Sequence, residues 1–305
     1  YPHQVQWVNG LPQPQKAEFQ NIELESVEPL KAECLHFLDC IKNNSAPRTD
    51  GLEGLNVLKV LGASQRSLVL GKAVSLEVKK DEKKSFFVHE TACVDQGTRI
   101  GKGTKIFPFA SIGTQPQDLK FKGEKNSLEI GENNSIREYV TINPGTAGGG
   151  SKTVIGNNCL FMISSHIAHD CKVGNNVVIA NNVPLGGHVT LEDSVVIGGN
   201  SAVQQFTRIG RLAMIGGMTG VLKDVIPFGL SFGNRNYLQG INLIGLRRKK
   251  YENKKILELD TAYKKIFSSE KLHENLAKIN GEFKENDLVK EVIDFISKDK
   301  KRPIC

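Results

Sequence analysis

Residues 155–221, read in sixes as IGNNCL FMISSH IAHDCK VGNNVV IANNVP LGGHVT LEDSVV IGGNSA VQQFTR IGRLAM IGGMTG V, put an apolar residue first in every group. Those residues are Ile155, Phe161, Ile167, Val173, Ile179, Leu185, Leu191, Ile197, Val203, Ile209, Ile215 and Val221. An earlier block keeps the same beat at Val88, Val94, Ile100, Ile106 and Ile112, and resumes at Ile130, Ile136 and Ile142. A helix repeats every 3.6 residues and an alternating strand every 2, so neither gives a period of six. A short parallel strand with one inward aliphatic anchor, then a tight turn at a small residue, makes one side of a triangular coil. Three such units close a turn of about 18 residues, and stacked turns bury a continuous core. The period implies a parallel β-helix but leaves its hand open, and the usual right-handed crossover preference argues against a left hand.

Two polar stretches, 118–129 (DLKFKGEKNSLE) and 148–154 (GGGSKTV), interrupt the beat and read as loops displayed on the scaffold, where binding residues tend to lie. Beyond Pro227 the beat stops. Residues 252–268, 270–280 and 285–298 carry apolar residues at helical spacing, such as Ile256, Leu259, Tyr263 and Ile266, and predict a helical cap over the open end of the coil. Residues 1–85 predict a strand-like start, helices near 27–43 and 51–69, and a charged KKDEKK connector. The expected division is 1–85, a β-helix over 86–233, and a helical domain over 234–305.

The 305 residues, 39% of them hydrophobic, suffice for one large domain or two modest ones. No run reaches the roughly 18 apolar residues of a membrane span, and the opening YPHQVQWVNG has no secretory pattern, which predicts a cytoplasmic protein. The start at Tyr1 reads as a piece of a longer fusion. Cys34, Cys40, Cys93, Cys159, Cys171 and Cys305 form no CxxC pair, so reduced thiols are expected, without disulfides or a cysteine metal site. Of the net charge of +7, residues 234–305 hold the excess of 17 Lys and Arg over 11 Asp and Glu. That excess suits a solvated helical face or an acidic partner; with few aromatics among the basic residues and no recognition motif, it does not indicate nucleic acid.

The repeat also places chemistry. His169, Gly187 and Gln205 each follow an anchor by two, on anchors 18 residues apart, so they stack in one column about 4.8 Å per coil. A base and a side-chain-free backbone become neighbours.

From Ile106 to Lys249 the chain resembles the UDP-N-acetylglucosamine O-acyltransferases that open lipid A biosynthesis. The resemblance rests on IGTQPQDLKFKGE, IREYVTINPGTAGGG, SSHIAHDCKVGNN, GGHVTLEDSVVIGG, QQFTRIG and GNRNYLQGINLIGLRR. It implies a left-handed β-helix that assembles as a homotrimer, with acyl carrier protein as acyl donor and neither cofactor nor metal. His169 is implied as the general base, suited by an ordinary pKa near 6.5, with Asp170 orienting it and the Gly187 N–H holding the oxyanion. For the UDP-sugar it implies Asp118, Lys120, His166, His188, Gln205, Asn242 and Arg248. For the acyl chain it implies Gly217 and Arg235. Gln204, Ile244 and Arg235 depart from residues that some members carry, and the first coils are fewer.

Residues 30–70 resemble the C-terminal end of the Gfo/Idh/MocA oxidoreductases. The dinucleotide-binding turn is missing, so no oxidation is expected. Three rival readings stand beside the acyltransferase: a zinc hydratase of the γ-carbonic-anhydrase kind using His166, His169 and His188; a non-catalytic trimeric scaffold; and an N-acyltransferase acting on a 3-amino UDP-sugar with acyl carrier protein or acetyl-CoA as donor. The last draws on the fusion and on the first coils, VHETACVDQGTRIGKGTKI, which also resemble that branch.

Overall fold

A computed structural model describes residues 4–8, 11–15, 28–74, 85–268, 272–298 and 302–305. The chain divides into two compact units, Tyr1–Glu82 and Lys83–Cys305. In the first, an antiparallel hairpin pairs Gln4–Val8 with Leu11–Gln15, and helices run over Pro29–Asn43 and Gly51–Leu70. Asp50 caps the second helix by accepting from the Glu53 N–H, and Gly71 ends it at φ 62°. The KKDEKK connector lies outside the described residues.

The second unit is a parallel β-helix with three faces. One face has seven strands, from Cys93–Val94 to Gly220–Val221. Another has six, from Thr98–Ile100 to Arg208–Ile209. The third has nine, from Phe87–Val88 to Met214–Ile215, then Gly229–Phe232 and an antiparallel Tyr237–Ile241. Anchors pair with anchors: Ile167 with Leu185, Leu185 with Val203, and Val173 with Leu191, each 18 residues on. From Ile106 to Val225 they form one continuous core, most of them fully buried.

Register locates the interruptions. Ile112 pairs with Ile142, 30 residues on, so 12 exceed the 18 of a coil; Ile142 pairs with Ile167, 25 on, so 7 do. The stretches 118–129 and 148–154 are therefore not loops throughout. Ser127–Ile130 and Lys152–Ile155 are strands of the six-stranded face, and the excursions occupy 113–126 and 143–151. Ser127, Glu129 and Lys152 face outward, and alternate residues of both strands, Leu128, Ile130, Thr153 and Ile155, are buried.

The turn also differs from expectation. Eleven residues at six-residue steps, from Asn158 through Asp170, His188 and Phe206 to Met218, all have φ between 56° and 66°. The left-handed residue comes three places after each anchor and is never glycine here, although Asn, Ser and Asp are favoured for it. The small residue directly after the anchor answers a different need. A Cβ on Gly198 would lie 2.5 Å from the Gly217 nitrogen, so coils stack too closely there for a side chain.

Helices Asn253–Ile266, Leu272–Glu282 and Asp287–Lys298 pack in a second core against Leu212, Ile226 and Phe228 of the last coils. A short helix, Leu243–Arg248, escaped sequence reading because its six residues make fewer than two turns. The tail closes the coil: Asp224 exchanges backbone bonds with Pro303 and Cys305. Its fully buried carboxylate accepts from Arg208 Nε at 2.7 Å and Arg302 Nε at 3.1 Å. Removing one partner of a buried pair strands the others, so Asp224→Ala is expected to cost about 3–5 kcal/mol in denaturant unfolding; an unchanged midpoint would show the latch to be idle.

Candidate active site

The edge between the seven- and six-stranded faces gathers the reactive groups because the coil repeat leaves them nowhere else to go. Two places after anchors Ile167, Leu185 and Val203 stand His169, Gly187 and Gln205; three places after stand Asp170, His188 and Phe206. Asp170 is 4% exposed, and its carboxylate lies 2.8 Å from His169 Nδ1 through Oδ2. Thr146 donates to the same carboxylate, its N–H at 3.0 and 3.1 Å and its hydroxyl at 2.7 Å. The Asp170 N–H in turn reaches the Thr153 hydroxyl at 2.8 Å.

His169 lies directly over Gly187: a Cβ there would stand 2.6 Å from its Cε1 and 2.7 Å from its Nε2. Gly186 and His188 give their N–H groups to Val203 and His169, whereas the Gly187 N–H has no acceptor among the described residues. The edge thus presents an imidazole nitrogen and a free backbone donor side by side.

His166 and His188 flank the pair. His166 Nδ1 is 2.7 Å from the Thr141 hydroxyl, and burial together with the nearby His169 lowers its pKa. His188 stacks on Phe206 at 4.4 Å between ring centres and meets His169 edge-on at 5.1 Å. Burial lowers its pKa too, opposed by Asp170 and by Asp118 from the first excursion. Asp118 folds back to accept the Lys120 N–H at 2.9 Å. A cleft of about 470 Å³ is lined by Gln117, His166, His169, Gly187, Gln204 and Gln205.

The remaining sequence-predicted residues lie elsewhere on the chain. Asn242 and Arg248 line a groove of about 880 Å³ with Ser194, Leu212 and Ile244, on the edge between the six- and nine-stranded faces. Asn242 uses its carboxamide structurally, capping the Leu243–Arg248 helix through the Gly245 N–H at 2.9 Å and donating to the Leu212 carbonyl at 2.9 Å. Gly217 sits over Gly199 at the third edge, and Arg235 in the turn between Gly229–Phe232 and Tyr237–Ile241, which packs on Gly220. The predicted site residues thus occupy three edges of the prism within one chain.

Among the described residues, one group carries metal-ligating types together, His169, Asp170 and His188, with donor atoms within 4.8 Å of one another. It omits His166, whose Nδ1 lies on the Thr141 hydroxyl. The Asp170 oxygens already accept from Thr146 and His169. Sequence reading missed Thr146, Thr153 and Phe206; a threonine beside a glycine run reads as loop, and nothing local shows that it turns inward.

Comparison with known proteins places this arrangement. The bacterial transferase hexapeptide profile matches residues 152–187, and the profile described as UDP-N-acetylglucosamine O-acyltransferase, domain 2, matches 224–305. The acyl-[acyl-carrier-protein]–UDP-N-acetylglucosamine O-acyltransferase of Paracoccus denitrificans is 51% identical over 191 residues, 63% of this chain and 72% of that one. The Rhizobium leguminosarum protein of the same name is 46% identical over 214 residues, 70% and 79% of the two chains. The crystal structure of a UDP-N-acetylglucosamine acyltransferase from Bacteroides fragilis superposes with a TM-score of 0.70 at 38% identity, covering 72% of this chain and 86% of that one. The β-helix is left-handed, as the resemblance implied.

Gly187→Ala is expected to drive the His169 ring off Asp170, since no rotamer of a backbone-attached methyl avoids it. A crystal structure of the variant should show the Nδ1–Oδ2 separation beyond about 3.5 Å; an unmoved ring would contradict the packing described.

Proposed function

The chain belongs to the UDP-N-acetylglucosamine O-acyltransferase family, and on that premise we propose that it moves a 3-hydroxyacyl group from acyl carrier protein to the 3-hydroxyl of UDP-N-acetylglucosamine in lipid A biosynthesis. The observation that carries the residue assignment is the bond from His169 Nδ1 to buried Asp170. With Nδ1 engaged as donor, Nε2 keeps its lone pair and faces the Gly187 backbone. The sugar oxygen attacks the thioester carbonyl as Nε2 takes its proton. The Gly187 N–H receives the charge that develops on the carbonyl oxygen. Collapse breaks the carbon–sulfur bond, and the departing thiolate recovers the proton from Nε2. Asp170 stabilises the imidazolium between the two transfers without taking the proton itself. Base, orienting carboxylate and oxyanion donor all belong to the chain, so we assign no cofactor or metal.

The separation of predicted site residues over three edges supports a homotrimer. In such an assembly, Asn242 and Arg248 of one copy would face the cleft of another and join Asp118, Lys120, His166, His188 and Gln205 on the UDP-sugar. Gly217 and Arg235 would line the acyl tail. Arg247, Arg248, Lys249 and Lys250, all exposed, offer a docking surface for an acidic carrier protein. Among the described residues no helix is long and apolar enough to cross a membrane, in keeping with a cytoplasmic site of action where carrier protein and nucleotide-sugar meet.

Turnover of acyl carrier protein thioester with UDP-N-acetylglucosamine should exceed that with the 3-amino sugar or with acetyl-CoA. His169→Ala should lower kcat about 10²–10⁴-fold with little change in UDP-sugar binding, and near-normal turnover in that variant would remove the base. Mixing inactive His169→Ala and Arg248→Ala subunits should restore part of the activity. No recovery after verified subunit exchange would refute a site shared between copies.

A further inference from the structure

Asp170 is contacted by two histidines: Oδ2 lies 2.8 Å from His169 Nδ1 and 4.0 Å from His188 Nε2. Histidine side chains on both sides of one carboxylate oxygen leave its aim undetermined by charge alone, since either imidazole would accept it as a partner. Its backbone does not fix the aim either, because Asp170 sits at a left-handed corner, φ 59°, like its uncharged counterparts Asn176 and Asn182. What distinguishes this corner from the others is the excursion 143–151 folded over it.

That excursion delivers Thr146, 3% exposed, as the carboxylate's main donor. The threonine is itself held from several sides: its carbonyl accepts the Gly149 N–H at 3.0 Å and the Ser151 N–H at 2.8 Å. The next N–H, that of Ala147, reaches Glu124 Oε1 at 3.2 Å, tying this excursion to the one that carries Asp118 and Lys120. Gly149 lies flat on the carboxylate, where any Cβ would overlap Asp170 Cγ, so the lid is closed on that side and the carboxylate cannot swing into water. Seven extra residues, among them three consecutive glycines and Thr146, are a large structural commitment around a carboxylate that does not line the substrate cleft, and Thr146 does not line it either.

We propose that Thr146 is the positioning residue of the catalytic pair: its hydroxyl and N–H hold the Asp170 carboxylate with Oδ2 bonded to His169 rather than to His188. The hydroxyl binds the same oxygen that His169 binds, and the N–H bridges both oxygens, so together they set the rotation of the carboxylate about its Cβ–Cγ bond. His169 is thereby kept as the Nδ1–H tautomer with Nε2 free to accept. Thr146 contacts neither substrate nor reacting atoms, and it acts only through Asp170. The inference rests on His169 being the base.

The test is a double-mutant cycle on the full chain, with kcat and the UDP-sugar KM measured separately. Thr146→Val, which keeps the shape and removes the hydroxyl, should lower kcat about 10–100-fold and leave KM within about twofold. Thr146→Ser should retain more than half of kcat. In the Asp170→Asn background, Thr146→Val should cost less than a further twofold, because a residue acting through Asp170 has nothing left to act on. Equal losses in both backgrounds, or a serine variant as impaired as the valine variant, would overturn the proposal. His169→Ala separates the two levels: if it turns over normally the assigned base is wrong, whereas if it is inactive and Thr146→Val is fully active, only the positioning role falls.

Discussion

Each coil must stack on the one below at strand spacing, with its three anchors turned inward, and that constraint dictates what every other position can be. Where glycine follows an anchor, as at Gly186, Gly198 and Gly210, the next coil's backbone occupies its side-chain space. The residue three places on takes a left-handed conformation to turn the corner. The residues in between are the ones that face outward, and along any one edge they recur every 18 positions in the sequence and one coil apart in space. A general base, a bare backbone N–H and a carboxylate can then be brought together by substitution alone, with no change in the scaffold. His169 and Gly187 occupy such outward positions, and Asp170 the left-handed corner beside them, where most neighbouring corners carry Asn or Ser.

Much of this was readable from the residues, because the beat that makes the fold is printed in the chain. The anchors, the column of His169 with Gly187, and the helical cap follow from spacing, and the helices lie within a few residues of where the apolar pattern put them. The excursions were bounded wrongly for a definite reason: Ser127, Glu129, Lys152 and buried Thr153 make the strands Ser127–Ile130 and Lys152–Ile155 polar in composition, and polar composition was read as loop. Thr146 was illegible for a different reason. Its partner lies 24 residues away across an irregular segment, and no period links the two. The structural part that Asn242 plays was illegible too: its carboxamide caps a helix and reaches the last coil, with one N–H and one lone pair left over.

The same edge geometry separates what one chain can do from what it cannot. The proposed base His169, its carboxylate Asp170 and the Gly187 N–H all stand on one edge of a single chain. The groove at Asn242 and Arg248 is at the next edge, at the level of the same coils, since its lining includes Asn176 and Ser194 while the cleft's includes His169 and Gly187. The homotrimer proposed above would bring the two together, because three-fold association sets equal heights of different edges against one another.

The central claim is that buried Asp170 holds His169 as the tautomer whose Nε2 accepts the acceptor sugar's proton. It is tested most directly by nitrogen NMR of the histidine-labelled full chain at neutral pH, with His169 assigned by comparison with His169→Ala. The account predicts a protonated Nδ1 and a bare Nε2 for His169, and loss of that preference in Asp170→Asn. A His169 found with the proton on Nε2, or a tautomer unchanged when Asp170 is replaced, would contradict it.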